Sequence, residues 1–329
     1  MIKYLYVLTS DETDYYLEQA LMSITSLKMR MSDAFVSLLI DDITEKTLTD
    51  KRRNILDIIN ELKIVKIDSQ FNKKARSRWL KTSMRRHIKG DFLYIDCDTV
   101  ICDDLTDIEN PSIILGAVLD RHILIQESRK KKFFQNNDKI LGFNASFVSD
   151  KHFNSGVIFC RDNPICHSFF DEWHKLWIMG ISKKIFIDQP SFNQANINFN
   201  KIITEMDGIW NCTIYFGGIV FLVNAKIIHY FATVHNDSYI LADYSILRYI
   251  KKICIIDDNI KKYLLHPKTS FYLHTELIAN KKTIEIIYSR LFKLFKYIYY
   301  LKIIRLIDAL IDTILFKLKA NLKHSKIHK

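Results

Sequence analysis

The first hundred residues alternate short apolar runs with amphipathic stretches, and this alternation restricts the fold more than any other feature. The runs at 2–8 (IKYLYVL), 35–40 (FVSLLI), 63–67 (KIVKI) and 92–96 (FLYID) are β-prone and too short for helices. Between them, 12–30 carries Leu17, Leu21, Ile24 and Leu27 at helical spacing. The stretch 45–62 carries Leu48, Ile55, Ile59 and Leu62 behind a capping Thr44, and 77–90 is basic and helical. Strands alternating with helices predict an α/β domain with a mostly parallel sheet. Ligands of such sheets sit at the carboxyl ends of the strands, which here carry Thr9 to Asp11, Asp41-Asp42 and Asp96 to Asp98. The second half predicts strands over 112–119 and 153–160, with further strands near 219–223 and 226–231. It also predicts a helix over 163–178, whose Phe169, Phe170, Trp173 and Trp177 are spaced as core.

Glycine is scarce. The 8 glycines begin at Gly90, and none is arranged as G-x-G-x-x-G or G-x-x-x-x-G-K-[ST]. A bound nucleotide therefore cannot be held by a glycine-rich backbone cradle. The strand Phe92 to Ile95 delivers Asp96 and Asp98 at i and i+2, and two such carboxylates suit a hard divalent cation, Mn²⁺ or Mg²⁺. Such an ion would neutralise a diphosphate. Asp-x-Asp also occurs as a simple turn cap. A haloacid-dehalogenase-like phosphohydrolase with Asp96 as nucleophile and Asp257-Asp258 as its later acidic pair is a second reading. There, however, Thr99 stands one position too early, and four strand or helix elements precede the motif.

Several blocks, taken in order, resemble glycosyltransferase family 8. They are Tyr6-Val7-Leu8-Thr9-Ser10-Asp11, Ser77-Arg78-Trp79-Leu80-Lys81, Leu93 to Val100, Gly116 to Asp120, Phe153-Asn154-Ser155-Gly156-Val157, Asp188-Gln189 with Asn193, Trp210-Asn211 and Ile227-Ile228-His229-Tyr230. The resemblance covers residues 1 to about 235. It implies a GT-A type, single Rossmann-like domain and a retaining hexosyltransferase that uses a UDP-sugar, with glucose or galactose as the sugar. The bacterial members imply a role in lipopolysaccharide or cell-surface polysaccharide synthesis.

By the same resemblance, Asp96, Asp98 and His229 bind the metal. Thr9 and Asp11 contact uridine, and Arg78, with Lys81 nearby, points at the phosphates or the sugar. Asp120, Asn154 and Asp188 hold sugar hydroxyls, and Gln189 faces the anomeric carbon. The family's H-x-x-G-x-x-K stretch departs here, reading His229, Ala232 and His235, so His235 stands where a phosphate-binding lysine is expected.

The net charge of +11 is concentrated at one end. Residues 280–329 hold twelve basic and three acidic side chains, leaving the first 279 residues nearly neutral. A nucleic-acid footprint on the body is therefore not expected. From 302 onward, polar positions recur at helical spacing among Ile303, Ile304, Leu306, Ile307, Leu310 and Ile311, without an uncharged run long enough to span a bilayer. This predicts C-terminal amphipathic helices lying on an anionic membrane surface, next to a catalytic body at 1–279. A non-catalytic membrane-surface binder is the third reading. The six cysteines form no C-x-x-C and are expected to be reduced thiols of a cytoplasmic protein, peripheral on the inner face of the membrane. The N-terminal apolar run is too short for a signal peptide and is expected to be the first strand. The acceptor is expected to be a saccharide or a lipid-linked saccharide.

Overall fold

The computed structural model describes residues 2–110, 112–230, 241, 243–268, 286, 289–299, 301 and 307. The chain divides into two compact units, Met1–Phe271 and Tyr272–Lys329. In the second unit the helix Arg290–Tyr299 is described, with Leu291, Phe292, Leu294 and Phe295 exposed. The predicted tail otherwise lies outside the described residues, as does His235.

In the first unit, β1 (Lys3–Leu8), α1 (Tyr16–Arg30), β2 (Phe35–Asp41), α2 (Asp42–Thr47), β3 (Glu61–Val65), α3 (Lys73–Ser83) and β4 (Phe92–Ile95) realise the alternation. They are followed by β5 (Thr99–Ile101), β6 (Leu115–Leu119), α4 (Lys131–Leu141), α5 (Ala145–Val148), β7 (Phe153–Cys160), α6 (Pro164–Ser182) and α7 (Gln189–Asn198). Then come β8 (Thr204–Met206), β9 (Cys212–Thr213), β10 (Ile227–His229), α8 (Tyr244–Ile253) and α9 (Asp258–Leu265). The main sheet runs β3-β2-β1-β4-β7-β6-β8. Its β1–β2, β1–β4, β2–β3 and β6–β8 pairs are parallel, while β7 runs antiparallel to both β4 and β6.

Strand alternation sorts β1 onto two cores. Tyr4, Tyr6 and Leu8 pack with Leu17, Leu21 and Ile24 of α1, whereas Leu5 and Val7 pack with Leu80, Phe169, Phe170 and Trp173 on the opposite face. The aromatic set of α6 is thus core, and Trp177 is buried with it.

Two expected elements differ. The helix expected over 45–62 is the short α2 followed by a 3₁₀ segment, Asp50–Ile58. Asp41, not Thr44, caps α2 by accepting from Thr44 N at 2.7 Å. The break spans Leu48 to Asp50: Leu48 and Thr49 leave the helical region, with ψ of 65° and 164°, and Asp50 has a left-handed φ of 45° that a continuous helix cannot contain. The strand expected at 219–223 is a 3₁₀ segment, Gly218–Asn224. It follows a turn at Gly217, whose φ is 95° and whose added Cβ would meet Arg121 O at 2.5 Å.

Candidate active site

A second, small sheet, β5-β10-β9, builds the centre of the site. In the antiparallel β5–β10 pair, His229 stands opposite Thr99, immediately after Asp98. The backbone locks this register, because Tyr230 N donates to Asp98 O at 3.1 Å. Asp96 is fixed from the other side, where its N–H donates to Gly156 O at 2.8 Å. Cys97 points inward, its thiol directed at Val7 O and pushed far up in pKa by burial. The alternation of the strand end thus leaves the two carboxylates partly exposed on the side away from Cys97.

Asp96, Asp98 and His229 each offer one ligand atom, and these atoms all lie within 4.8 Å of one another. His229 Nε2 is 3.2 Å from Asp98 Oδ1 and 4.0 Å from Asp96 Oδ2. Its Nδ1 bonds Asn211 Oδ1 at 2.9 Å, the outer hydrogen bond that orients ligating imidazoles. Burial would raise the Asp98 carboxyl, but the neighbouring imidazole, a backbone N–H and Lys81 together hold it below the usual range. Carboxylate and imidazole donors in this arrangement fit Mn²⁺ or Mg²⁺.

An amide chain leads away from the Asp96, Asp98 and His229 cluster. Asn211 Nδ2 donates to Asn154 Oδ1 at 2.9 Å, and Asn154 Nδ2 donates to Asp120 Oδ1 at 3.2 Å. Gly156 N also donates to Asn154 Oδ1, at 2.8 Å. Asp120 opens a turn in which Arg121 and His122 both have positive φ, 60° and 57°. Such left-handed non-glycine residues are uncommon and tend to gather at functional sites.

Charged groups form the adjoining wall. The buried Lys81 Nζ lies 3.2 Å from Asp96 Oδ1 and 3.4 Å from Asp188 Oδ2, so one ammonium bridges two carboxylates. Arg78 Nε is 2.9 Å from Asp188 Oδ1, and Ser155 Oγ donates to Asp188 Oδ2 at 2.7 Å. Burial opposes ionisation of Asp188, but Lys81, Arg78 and Ser155 together hold it well below the usual carboxylate range. Tyr94 OH donates to Asp96 Oδ1. Gln189 opens α7, and its Nε2 bonds His152 Nδ1 at 3.3 Å. His152 is buried against Phe134, with ring centroids 4.1 Å apart, and burial depresses it to about 4, so it is a neutral acceptor.

At the end of β1, Thr9 is buried, and its Oγ1 has no hydrogen-bond partner among the described residues. Asp11 pairs with Lys73 Nζ at 2.5 Å. Burial opposes this ionisation too, but Lys73 and Thr13 hold the Asp11 carboxyl below its ordinary value. The pair Asp257-Asp258 serves a structural end, since Asp257 Oδ1 caps α9 by accepting from Ile260 N at 3.0 Å.

The structure therefore brings Asp96, Asp98 and His229 together and links them, through Lys81, to Asp188 and Arg78. Sequence reasoning gave no role to His152, Lys73 or Tyr94, and it matched Asn211 without one. Asn211 sits in the Trp210-Asn211 block and Tyr94 in the Leu93 to Val100 block, so both carried a sequence signal; His152 and Lys73 are legible only through contacts.

The model of glycosyl transferase family 8 matches residues 7–235, well over half of the sequence. The chain belongs to glycosyl transferase family 8. Among solved structures it is similar to an active-site mutant of LgtC (14% identity, 76% of this chain and 94% of that one, TM-score 0.50). It is also similar to the galactosyltransferase LgtC in complex with donor and acceptor sugar analogues (12%, 79% and 99%, 0.49). A third likeness is to mouse xyloside xylosyltransferase 1 in its apo form (13%, 70% and 97%, 0.45). No curated protein matches the sequence. The fold is of the GT-A type, and the chain is a glycosyltransferase.

Proposed function

We propose that this family 8 member is a retaining, metal-dependent hexosyltransferase. It takes glucose or galactose from a UDP-sugar and passes it to a saccharide or lipid-linked saccharide in cell-surface polysaccharide or lipopolysaccharide synthesis. The observation that carries the reading is the convergence of Asp96, Asp98 and His229 within 4.8 Å beside the Asp188–Arg78 pair. Asp96, Asp98 and His229 would hold Mn²⁺ (or Mg²⁺), which when bound supplies positive charge to a diphosphate leaving group.

The chain's own residues do the rest. Asp11 and the unpartnered Thr9 hydroxyl receive the uridine. Arg78, oriented by Asp188, reaches toward the phosphates or the sugar. Lys81 stands between Asp96 and Asp188 and holds the two carboxylates in place. Asp188, Asp120 and Asn154 present acceptors and a donor to sugar hydroxyls. Because Gln189 Nε2 is taken by His152, its Oε1 is the end left for the anomeric carbon. Preorganised dipoles of this kind act on developing charge in the transition state. The exposed apolar residues of Arg290–Tyr299 and the basic tail support a peripheral position on the cytoplasmic face of a membrane.

The test is a nucleotide-sugar panel scored by thermal shift and UDP release with Mn²⁺. UDP-glucose or UDP-galactose should stabilise the protein and release UDP slowly, and Asp98→Ala should abolish both. Full activity in Asp98→Ala would refute the metal assignment.

A further inference from the structure

The near-neutral charge of the catalytic unit conceals a segregated surface. Residues 129–151 hold six basic and two acidic side chains, and one of the acids, Asp138, is buried and accepts from Ser146 N at 2.7 Å. Helix α4 turns Phe134, Asp138 and Leu141 inward. Its opposite face leaves Phe133 46% and Ile140 55% exposed, and the adjoining α5 leaves Phe147 46% and Val148 49% exposed. The two faces join, because Lys139 Nζ lies 6.0 Å from the centre of the Phe147 ring. Lys130 Nζ likewise stands 5.2 Å from the Phe133 ring, and Lys132 is exposed beside it. Large apolar side chains rimmed by lysines are uncommon on a surface that only meets water.

We propose that the α4–α5 face is a lipid-contact surface of the catalytic unit itself, occupied by an anionic bilayer. Charge selects this occupant. Lysine stems lie along apolar surface while their ammonium groups stay at the interface, which suits acidic headgroups above acyl chains. The proposal rests neither on the basic tail nor on the donor reading. It has a consequence for the cleft, because Phe134 on the inner side of α4 stacks on His152, which holds Gln189. The helix that meets lipid would thus also support the catalytic amide.

The test is sedimentation of the full chain with vesicles of phosphatidylcholine and phosphatidylglycerol (4:1), against pure phosphatidylcholine. Insertion of each half-exposed ring should contribute about tenfold in affinity, and each lysine about fivefold. Phe133→Ser with Phe147→Ser should therefore weaken binding to anionic vesicles at least about tenfold, with the tail intact and the melting temperature unchanged. Lys132→Glu with Lys139→Glu, which spares the rings, should weaken it similarly and abolish the preference for anionic vesicles that the tail does not supply. Vesicle affinity equal to the parent's in both variants overturns the proposal. Equal affinity of the parent for neutral vesicles overturns it as well. Parental vesicle affinity combined with loss of self-association in the variants would assign the face to a protein partner and overturn it too.

Discussion

Gly156→Ala tests how tightly the proposed metal site around His229 is built. At Gly156 a Cβ would stand 2.5 Å from His229 Cε1, 2.8 Å from His229 Nδ1 and 2.9 Å from Asn154 Oδ1. Carbon contacts settle at about 3.5–4.0 Å, so the imidazole must retreat by about 1 Å. It has little room, being 1% exposed and held between the Asn211 bond and the β5–β10 register. Retreat loosens the Asn211 bond or lengthens the 3.2 Å approach to Asp98. Overpacking of this kind costs about 1–3 kcal/mol. Disturbing the outer hydrogen bond of a ligating histidine costs about 10–100-fold in metal affinity, or roughly 1.4–2.8 kcal/mol. Calorimetric titration with Mn²⁺ should then show affinity at least about tenfold weaker than the parent's. The metal-free melting temperature should fall by several degrees, and saturating Mn²⁺ should recover less of it than in the parent. Parental Mn²⁺ affinity with an unchanged melting temperature would refute the clamped ring.

Two other outcomes follow from buried imidazoles. His152→Phe keeps the stack on Phe134 but removes the acceptor for Gln189 Nε2, so kcat should fall about tenfold while the donor KM stays within about twofold. An unchanged kcat in steady-state UDP release would show that the amide is held by something else. Burial depresses both His152 and His174 to about 4, opposed by Asp120 at His152, and at His174 reinforced by Arg86 and His87 and opposed by Asp171. The unfolded chain binds these protons from about pH 6.5 downward and the folded chain does not, so stability is full above that pH and lost as it falls toward 4. Urea unfolding should show roughly 2 kcal/mol lost per imidazole between pH 7 and 5, and His152→Phe with His174→Gln should flatten that slope.

Short-range pattern made the frame legible. The strands at 3–8, 35–41, 92–95 and 153–160 lie where apolar alternation puts them, because each is bounded by polar turns. Pattern failed where a few residues decide the backbone. Leu48 to Asp50 break an otherwise helical periodicity, and the apolar run after Gly217 reads equally as strand or helix until its turn is known. The Asp96 and Asp98 pair is visible as letters. The pairing of His229 with Asp98 depends on a strand 130 residues away, which the family's block order reached and local pattern could not. His152 was invisible for a related reason, since nothing in its neighbours predicts that Gln189 will face it. The lysines of α4 were hidden by averaging, because a net charge counts side chains without regard to which face they share.

The amide chain from His229 through Asn211 and Asn154 to Asp120 connects the two ends of the cleft without a titratable group between them. A hydroxyl or imidazole in either middle position would make a proton wire, and charge could leak along it as pH changed. Carboxamides neither take up nor release protons near neutrality, so this link passes on direction only. It fixes the orientation of the imidazole relative to Asp120 without carrying charge between them.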